Sequence, residues 1–469
     1  MKRLLPLLFI GLGLLLMSCE NAQEPFNPEA GQTPALAKSS KRTIGINILF
    51  KAEITDAALQ QLAQFGTVTG TIPEINAVFL KGSASVIKRI QNLDFVEAAG
   101  PDQERMAPPF DTVPVSDFNA GLNTWNLDAI NVTSSPGFDN RSVNQDGTGV
   151  YVGILDTGLL PSWRQYFPQE RIAEEYAKSF MGSPVWPVKI SEQPNKWEHD
   201  TNSHGTHVTS TILGYSLEGT PINGVAPMAT VIPVKVLNQN GRGWSSVIAY
   251  GIMYMAQLKE GPLSGSPVVV NMSLGGSALD PVEKAAIDYA IAQGVIVVAA
   301  AGNSGEKGMS YPGAYAPVIS VAASGWVGEW TDGGSWWYAL DVPDPTNTDD
   351  FYITAFSGRA LPGQDLDVAA PGSWVVGPYQ LQMGKTSYFF LGGTSQASPH
   401  VAGIVALMAQ KDPGLVAATA EGILESSAVS LPPDTRVIYT PAGPDTVTWG
   451  ADATGAGLAT ANAALGATP

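Results

Sequence analysis

The sequence predicts a three-layer α/β fold around a mostly parallel central sheet, preceded by a small α+β domain, and three observations carry that expectation. GVYVGILD, TVIPVKVL, PVVVNMSL, GVIVVAAAG and VISVAAS are near-continuous apolar runs, the pattern of strands buried on both faces of a parallel sheet. Between them, GTHVTSTILG, VIAYGIMYMAQL and VEKAAIDYAIAQ space their apolar residues as helices do, so strand and helix alternate along the chain. Ahead of these, residues 43–100 hold a second, shorter pattern. TIGINILF alternates Ile44, Ile46, Ile48 and Phe50 as a half-buried strand, and TDAALQQLAQFG offers Thr55 as N-cap, Leu59 and Leu62 on one face, and Gly66 as a stop. INAVFL, SASVIKRIQNL and FVEAAG continue as strand, helix and strand, a βαββαβ-like order that makes a small ferredoxin-like domain.

Composition bounds the partners. With 469 residues, 44% hydrophobic and 14% charged, the chain has room for one large domain and something smaller. Its 50 glycines and 35 prolines imply many loops, as in a secreted or envelope enzyme. The formal net charge is −17, yet residues 1–105 hold ten basic and ten acidic groups, so the acidic excess lies wholly beyond 105. A nucleic-acid partner is therefore not expected.

The N-terminus reads as an export signal. MKRLLPLLFIGLGLLLMSC places Lys2 and Arg3 before an apolar run that ends at Cys19, the only cysteine in the chain. Leu16, Met17, Ser18 and Cys19 resemble a bacterial lipobox, which implies a signal peptide over residues 1–18, lipid attachment at Cys19, and a precursor anchored to the membrane by its acyl chains. Residues 19–42 are polar, rich in Pro, Ala and Ser, and without periodicity, which suits a tether.

Four polar residues fall where strands end or helices begin, the place where open α/β sheets put their ligands. Asp156 closes YVGILD, His204 opens HGTHVTSTILG, Asn303 follows VVAAAG, and Ser395 stands at the start of SQASPHVAG. A serine nucleophile needs a base for its proton, the base needs a carboxylate to fix its tautomer, and the developing oxyanion needs donors. These four supply each of those parts. GILDTG, HGTHV, NMSLGG, AAAGNSG, YPGAYAPVISVAA and GTSQASPHVAG, in the order Asp, His, Ser, together resemble the subtilisin-like serine proteases, or subtilases, over residues 122–465.

That resemblance implies a subtilisin-like catalytic domain over residues 122–469 and a serine endopeptidase with Ser395 as nucleophile, His204 as general base then acid, Asp156 as its orienting carboxylate and Asn303 as oxyanion donor. It implies protein or peptide substrates bound as an added strand between Gly241, Arg242, Gly243 and Ser273, Leu274, Gly275, with an apolar P1 side chain between SLGG and AAAGN. Arg242 beside that strand is expected to favour an acidic side chain near P2 or P4. Residues 43–105 become an inhibitory propeptide that also helps the sheet to fold, and residues 106–121 a processing junction, after which the enzyme is extracellular or stays with the envelope. His199, His207 and His400 lie off the motif positions and are given structural roles, and Gln396 follows the nucleophile where relatives carry methionine.

Residues 325–351 form an insertion with Trp326, Trp330, Trp336 and Trp337, whose rings are expected to fold onto their own domain. No cofactor is needed for the chemistry. A structural calcium is left open, since YSLEGTPINGVAP follows the His204 helix where many subtilases bind one, but its acids are few and Gln165 stands where an Asp ligand would be expected. Two rival classes exist. A catalytically silent envelope-binding protein on the same scaffold would have lost one of the triad, which is complete here, and an α/β-hydrolase esterase would show G-x-S-x-G in the order Ser, Asp, His.

Overall fold

The computed structural model describes residues 43–107, 110–114, 123–134, 141–182, 190–331, 333–380 and 387–469. The export signal, Cys19, the tether and much of the junction lie outside the described residues. The small N-terminal unit runs β1 (Thr43–Phe50), α1 (Asp56–Leu62), β2 (Gly66–Ile72), β3 (Ala77–Ser83), α2 (Ile87–Gln91) and β4 (Val96–Pro101). Its strands form an antiparallel sheet in the order β2-β3-β1-β4, with Ile46, Ile48, Phe50, Leu62, Val78, Leu80, Ile90 and Val96 as its core. Thr55 caps α1 by accepting from the Ala58 N–H. The helix stops at Leu62, before the expected Gly66, which instead begins β2, where a Cβ would lie 2.2 Å from the Lys81 carbonyl oxygen.

Two short strands follow, β5 (Glu104–Met106) and β6 (Phe110–Pro114), then a helical turn α3 (Trp125–Ala129) and β7 (Tyr151–Asp156). The chain continues through β8 (Lys178–Met181), β9 (Ser191–Glu192), α4 (His204–Leu213), the hairpin β10 (Tyr215–Leu217) and β11 (Thr220–Ile222), β12 (Thr230–Lys235), β13 (Arg242–Trp244) and α5 (Ser245–Glu260). After β14 (Val268–Met272) come α6 (Pro281–Ala292), β15 (Val295–Ala300), β16 (Ile319–Trp326), α7 (Trp336–Ala339), β17 (Phe351–Ile353), β18 (Val368–Pro371), β19 (Val375–Pro378) and β20 (Tyr388–Gly392). The last elements are α8 (Thr394–Lys411), α9 (Ala417–Ser427), the hairpin β21 (Asp434–Thr440) and β22 (Gly443–Trp449), and α10 (Ala461–Ala467).

The large sheet has the order β17-β16-β15-β14-β7-β12-β8-β9, with β18 also paired to β16. Its central pairs are parallel and its outermost ones, β17 on β16 and β9 on β8, antiparallel. Alternation along single strands explains the unbroken apolar runs. In β15, Ile296 and Val298 pack with α4 and α8 residues such as Val208 and Val401. Val295, Val297 and Ala299 pack on the other face with Ile252 of α5 and Ile287 of α6. Both faces are covered, so no strand can afford a polar side. Among the described residues no helix is long and apolar enough to cross a membrane.

The tryptophans of the insertion turn inward, as expected. Trp336 and Trp337 are fully buried, and Trp326 stacks on Trp125 with ring centroids 6.4 Å apart. Trp330 and Trp336 meet Phe390 of β20 at 4.8 and 5.8 Å. This aromatic layer lies directly under the strand that leads into Ser395.

Candidate active site

Asp156 is the last residue of β7 and His204 the first of α4, both fully buried. His204 Nδ1 lies 2.8 and 2.9 Å from the two Asp156 carboxylate oxygens. Backbone and loop hold that pair in place: Asp156 Oδ1 accepts from the Thr157 N–H at 2.6 Å, and Thr157 Oγ1 accepts from the Gly205 N–H at 2.9 Å while donating to Asp200 at 2.8 Å. Gly205 is required by closeness, since a Cβ there would meet the Gly158 carbonyl oxygen at 2.4 Å. Ser203 precedes His204 at φ +79°, its N–H bound by Asp200 at 2.8 Å, which sets the entry angle of α4.

Ser395 is the second residue of α8 and almost fully buried. Its Oγ donates to the Ser273 carbonyl oxygen at 3.3 Å, and Ser273 Oγ donates back to the Ser395 carbonyl at 2.8 Å. His204 Nε2 has no hydrogen-bond partner among the described residues, so its lone pair is open to take a proton. Asn303 accepts through Oδ1 from the Thr394 N–H at 2.9 Å and from Thr394 Oγ1 at 2.8 Å. That fixes the amide so that its Nδ2 end faces Gly393, where a Cβ would come within 3.3 Å of it. Gly393 itself has φ +151°, a conformation side-chain-bearing residues rarely adopt.

The two cleft segments are occupied by the chain itself. β5 pairs antiparallel with β13, Arg242 opposite Met106 and Gly243 opposite Arg105. On its other side the Met106 N–H donates to the Gly275 carbonyl at 3.1 Å, and the Gly275 N–H donates to the Met106 carbonyl at 3.0 Å. The Ala107 N–H donates to the Gly241 carbonyl at 3.0 Å. Beyond, β6 pairs with β20, Phe110 opposite Gly392. A polypeptide thus runs as a third strand between Gly241–Gly243 and Ser273–Gly275, then along the strand leading into Ser395. Arg242 reaches an acid of that strand, Glu104, at 3.2 Å, with both groups half exposed.

A model described as the subtilase family matches residues 147–460. The chain belongs to the subtilase family. Similar proteins include subtilisin DY of Bacillus licheniformis, 34% identical over 289 residues (61% of this chain, 85% of the relative). Thermitase of Thermoactinomyces vulgaris is 33% identical over 283 residues, 60% of this chain and 82% of the relative. Among solved structures, fervidolysin from Fervidobacterium pennivorans, a keratinolytic enzyme related to subtilisin, superposes with a TM-score of 0.64 at 23% identity. That likeness, which concerns the fold, covers 91% of this chain and 61% of fervidolysin. The protein is a subtilisin-like serine endopeptidase.

Two of the other histidines of this subtilase, His400 and His207, are buried in structural hydrogen bonds. His400 is fully buried in α8, its Nδ1 donating to the Gln396 carbonyl at 2.8 Å and its Nε2 bonded with Asn126 at 2.8 Å, and burial lowers its pKa to about 4. His207 faces the Val375 carbonyl at 3.1 Å, and burial lowers its pKa to about 3. His199 is exposed. Gln396 is fully buried, and neither end of its amide has a partner among the described residues.

The loop after the His204 helix folds as the β10–β11 hairpin, and Gln165 lies in a short helical turn, Trp163–Gln165. Among the described residues an acidic cluster able to hold an ion lies elsewhere: carboxylate oxygens of Asp365, Asp367 and Glu421 fall within 4.8 Å of one another. Asp367 Oδ2 accepts from Ser320 N and Oγ at 2.6 and 2.9 Å, while Oδ1 is buried without a partner among the described residues. Burial raises the Asp367 pKa to about 7. Three carboxylates with one orphaned oxygen suit a hard cation, which would neutralise them.

Sequence reasoning expects the tail of the small domain in the cleft, but it does not find the side chains that seat it there. The sequence marks Arg105 only as the end of the small domain, and Asp102 only as the earliest point of the junction. Asp102 accepts from the Ser246 N–H at 3.0 Å and Oγ at 2.6 Å and from Ser245 Oγ at 2.9 Å, capping α5 from outside, and burial raises its pKa to about 6. Asn47 of β1 donates to Asp280, the N-cap of α6, at 2.9 Å. The one available signal was order along the chain: an acid just after the last strand of a domain that must sit on two helix N-termini.

Proposed function

We propose that this subtilase is made as an inhibited precursor in which residues 43–105 form the propeptide, and that Ser395, His204, Asp156 and Asn303 carry its chemistry. The observation that supports this best is the threading of β5 as a substrate-like strand between Gly241–Gly243 and Ser273–Gly275 toward Ser395. In the reaction His204 Nε2 takes the Ser395 proton as Oγ attacks the scissile carbonyl. Asp156 keeps the other ring proton on Nδ1 and stabilises the imidazolium. The oxyanion forms beside the Ser395 backbone N–H and Asn303 Nδ2, with the positive end of α8 behind it. His204 then returns the proton to the leaving amine, and water repeats the sequence on the acyl-enzyme. Substrate main chain replaces β5, with the walls Ser273–Gly276 and Ala299–Asn303 taking an apolar P1 side chain.

A fluorophosphonate tests the reading directly. After removal of residues up to the junction, the expected result is covalent labelling of Ser395, with turnover of both peptide and ester substrates. An envelope-binding protein without catalysis would show neither label nor turnover. N-terminal sequencing of the mature protein then locates the cut, expected within residues 106–121.

We place the precursor on the membrane through acyl chains on Cys19, with release of the enzyme or retention of the bound propeptide after the cut. Lipid attachment is read from LMSC alone. Cys19→Ser is expected to move the precursor from the detergent to the aqueous phase on partitioning, because the acyl chains supply the membrane affinity. Unchanged partitioning would remove the anchor. For the acidic cluster of Asp365, Asp367 and Glu421 we propose a structural cation, outside the chemistry.

A further inference from the structure

We infer that the S4 subsite of this enzyme is a buried arginine receptor built on Glu283, so that it prefers substrates with arginine at P4. The inference rests on the protease reading above and deepens it. Met106, bonded both ways to Gly275, and Ala107, bonded to Gly241, lead toward Ser395 from the acyl side, and Phe110 leaves beside Gly392. With the scissile bond taken after residue 108, Arg105 holds the P4 place, and in the structure it lies opposite Gly243.

Its side chain is wholly buried, which arginine seldom is unless paired. Arg105 Nε donates to Glu283 Oε1 at 3.1 Å while Nη2 donates to Oε2, a two-pronged pair with both side chains fully buried. The other guanidinium donors go to backbone carbonyls, Nη2 to Ala278 at 3.2 Å and Nη1 to Glu104 at 3.2 Å. Gly276 completes the receptor, for a Cβ there would stand 2.6 Å from Nη1.

Three parts of this receptor belong to the body that stays when the strand leaves: Glu283 on the first turn of α6, the Ala278 carbonyl and the gap at Gly276. Asp280 caps that turn by accepting from the Val282 and Glu283 N–H groups at 2.9 and 3.1 Å, so the carboxylate is delivered by a fixed helix end. A carboxylate left alone in a dry pocket is costly, and a guanidinium in the same planar fork repairs it, whereas a neutral side chain does not. The propeptide therefore displays the enzyme's own preferred residue.

The test compares kcat/KM of the mature enzyme on fluorogenic peptides that differ only at P4. Arginine is expected to exceed norleucine by about tenfold or more and lysine by less, since lysine lacks the fork. Removing only one partner can spoil folding of the precursor, so the second measurement uses Arg105→Leu with Glu283→Leu together, which leaves no unpaired charge. In that enzyme leucine at P4 is expected to overtake arginine. Equal rates for arginine and norleucine in the wild type, or an arginine preference that persists in the double variant, would overturn the inference. Either result leaves the protease reading standing. That reading fails separately if Ser395 takes no fluorophosphonate and no peptide is cut.

Discussion

Ser395→Ala leaves the chain as an uncut precursor with peptide hydrolysis lowered by about a million-fold, the size of loss known for the triad of the relative subtilisin. The magnitude follows from what is lost. Without Oγ there is no acyl-enzyme, and the Asp156–His204 pair, held at 2.8 Å, has no proton to take. What remains is the oxyanion site and strand binding, which hold substrate without a nucleophile. Fold should be unchanged, because Oγ makes one long hydrogen bond, 3.3 Å to the Ser273 carbonyl, and α8 does not depend on it. Immunoblots of precursor and product against time, beside a peptide assay of purified protein, read both effects. Processing of this variant at the wild-type rate would show that another protease makes the cut.

Asp156→Asn is expected to lower kcat about ten-thousand-fold with little change in KM. The reason is the direction of one hydrogen bond. Asp156 has only acceptors, so the ring nitrogen facing it must be Nδ1–H, and Nε2 is left with the lone pair. An asparagine in its place would keep one acceptor, and the Thr157 N–H, 2.6 Å from Oδ1, claims it. The amide NH2 then faces His204 and selects the tautomer with the proton on Nε2, which cannot serve as base. Rates followed to high pH should recover in part, as Ser395 ionises without a base. A loss confined to KM would mean that Asp156 acts on substrate binding instead.

The central sheet was legible because its strands are buried on both faces, and five apolar runs can hardly be anything else. Asp156, His204, Asn303 and Ser395 could be proposed together from the sequence because a parallel sheet gathers its strand ends at one edge, so residues scattered widely along the sequence point to one place. The small domain showed its order through plain two- and 3.6-residue periodicities. Its contacts did not show. Arg105 and Glu283 are 178 residues apart, and nothing in QERMA or PVEKAA marks them as partners. Periodicity reports which face of an element is dry, never which distant element dries it. The hairpin Asp434–Trp449 went unread for the same reason: its residues are largely exposed, so no apolar alternation marks it. The sequence places Arg242 as a charge beside an added strand, and its partner Glu104 follows from the register of β5, which is set in three dimensions.

The opening turn of α5 is completed by residues that processing is expected to separate from it. The Ser245 N–H donates to the Gln103 carbonyl at 2.8 Å and the Ser246 N–H to Asp102 at 3.0 Å, while Trp244, at the N-cap position, offers no side-chain acceptor. If the proposed cut releases these residues, those donors return to water and the helix is expected to forfeit about 1 kcal/mol for each cap lost. On that proposal, the enzyme that remains is expected to be held by its unfolding barrier rather than by equilibrium. Its working life is then expected to be a half-life set by the unfolding barrier, which a scan-rate dependence of its thermal unfolding would show.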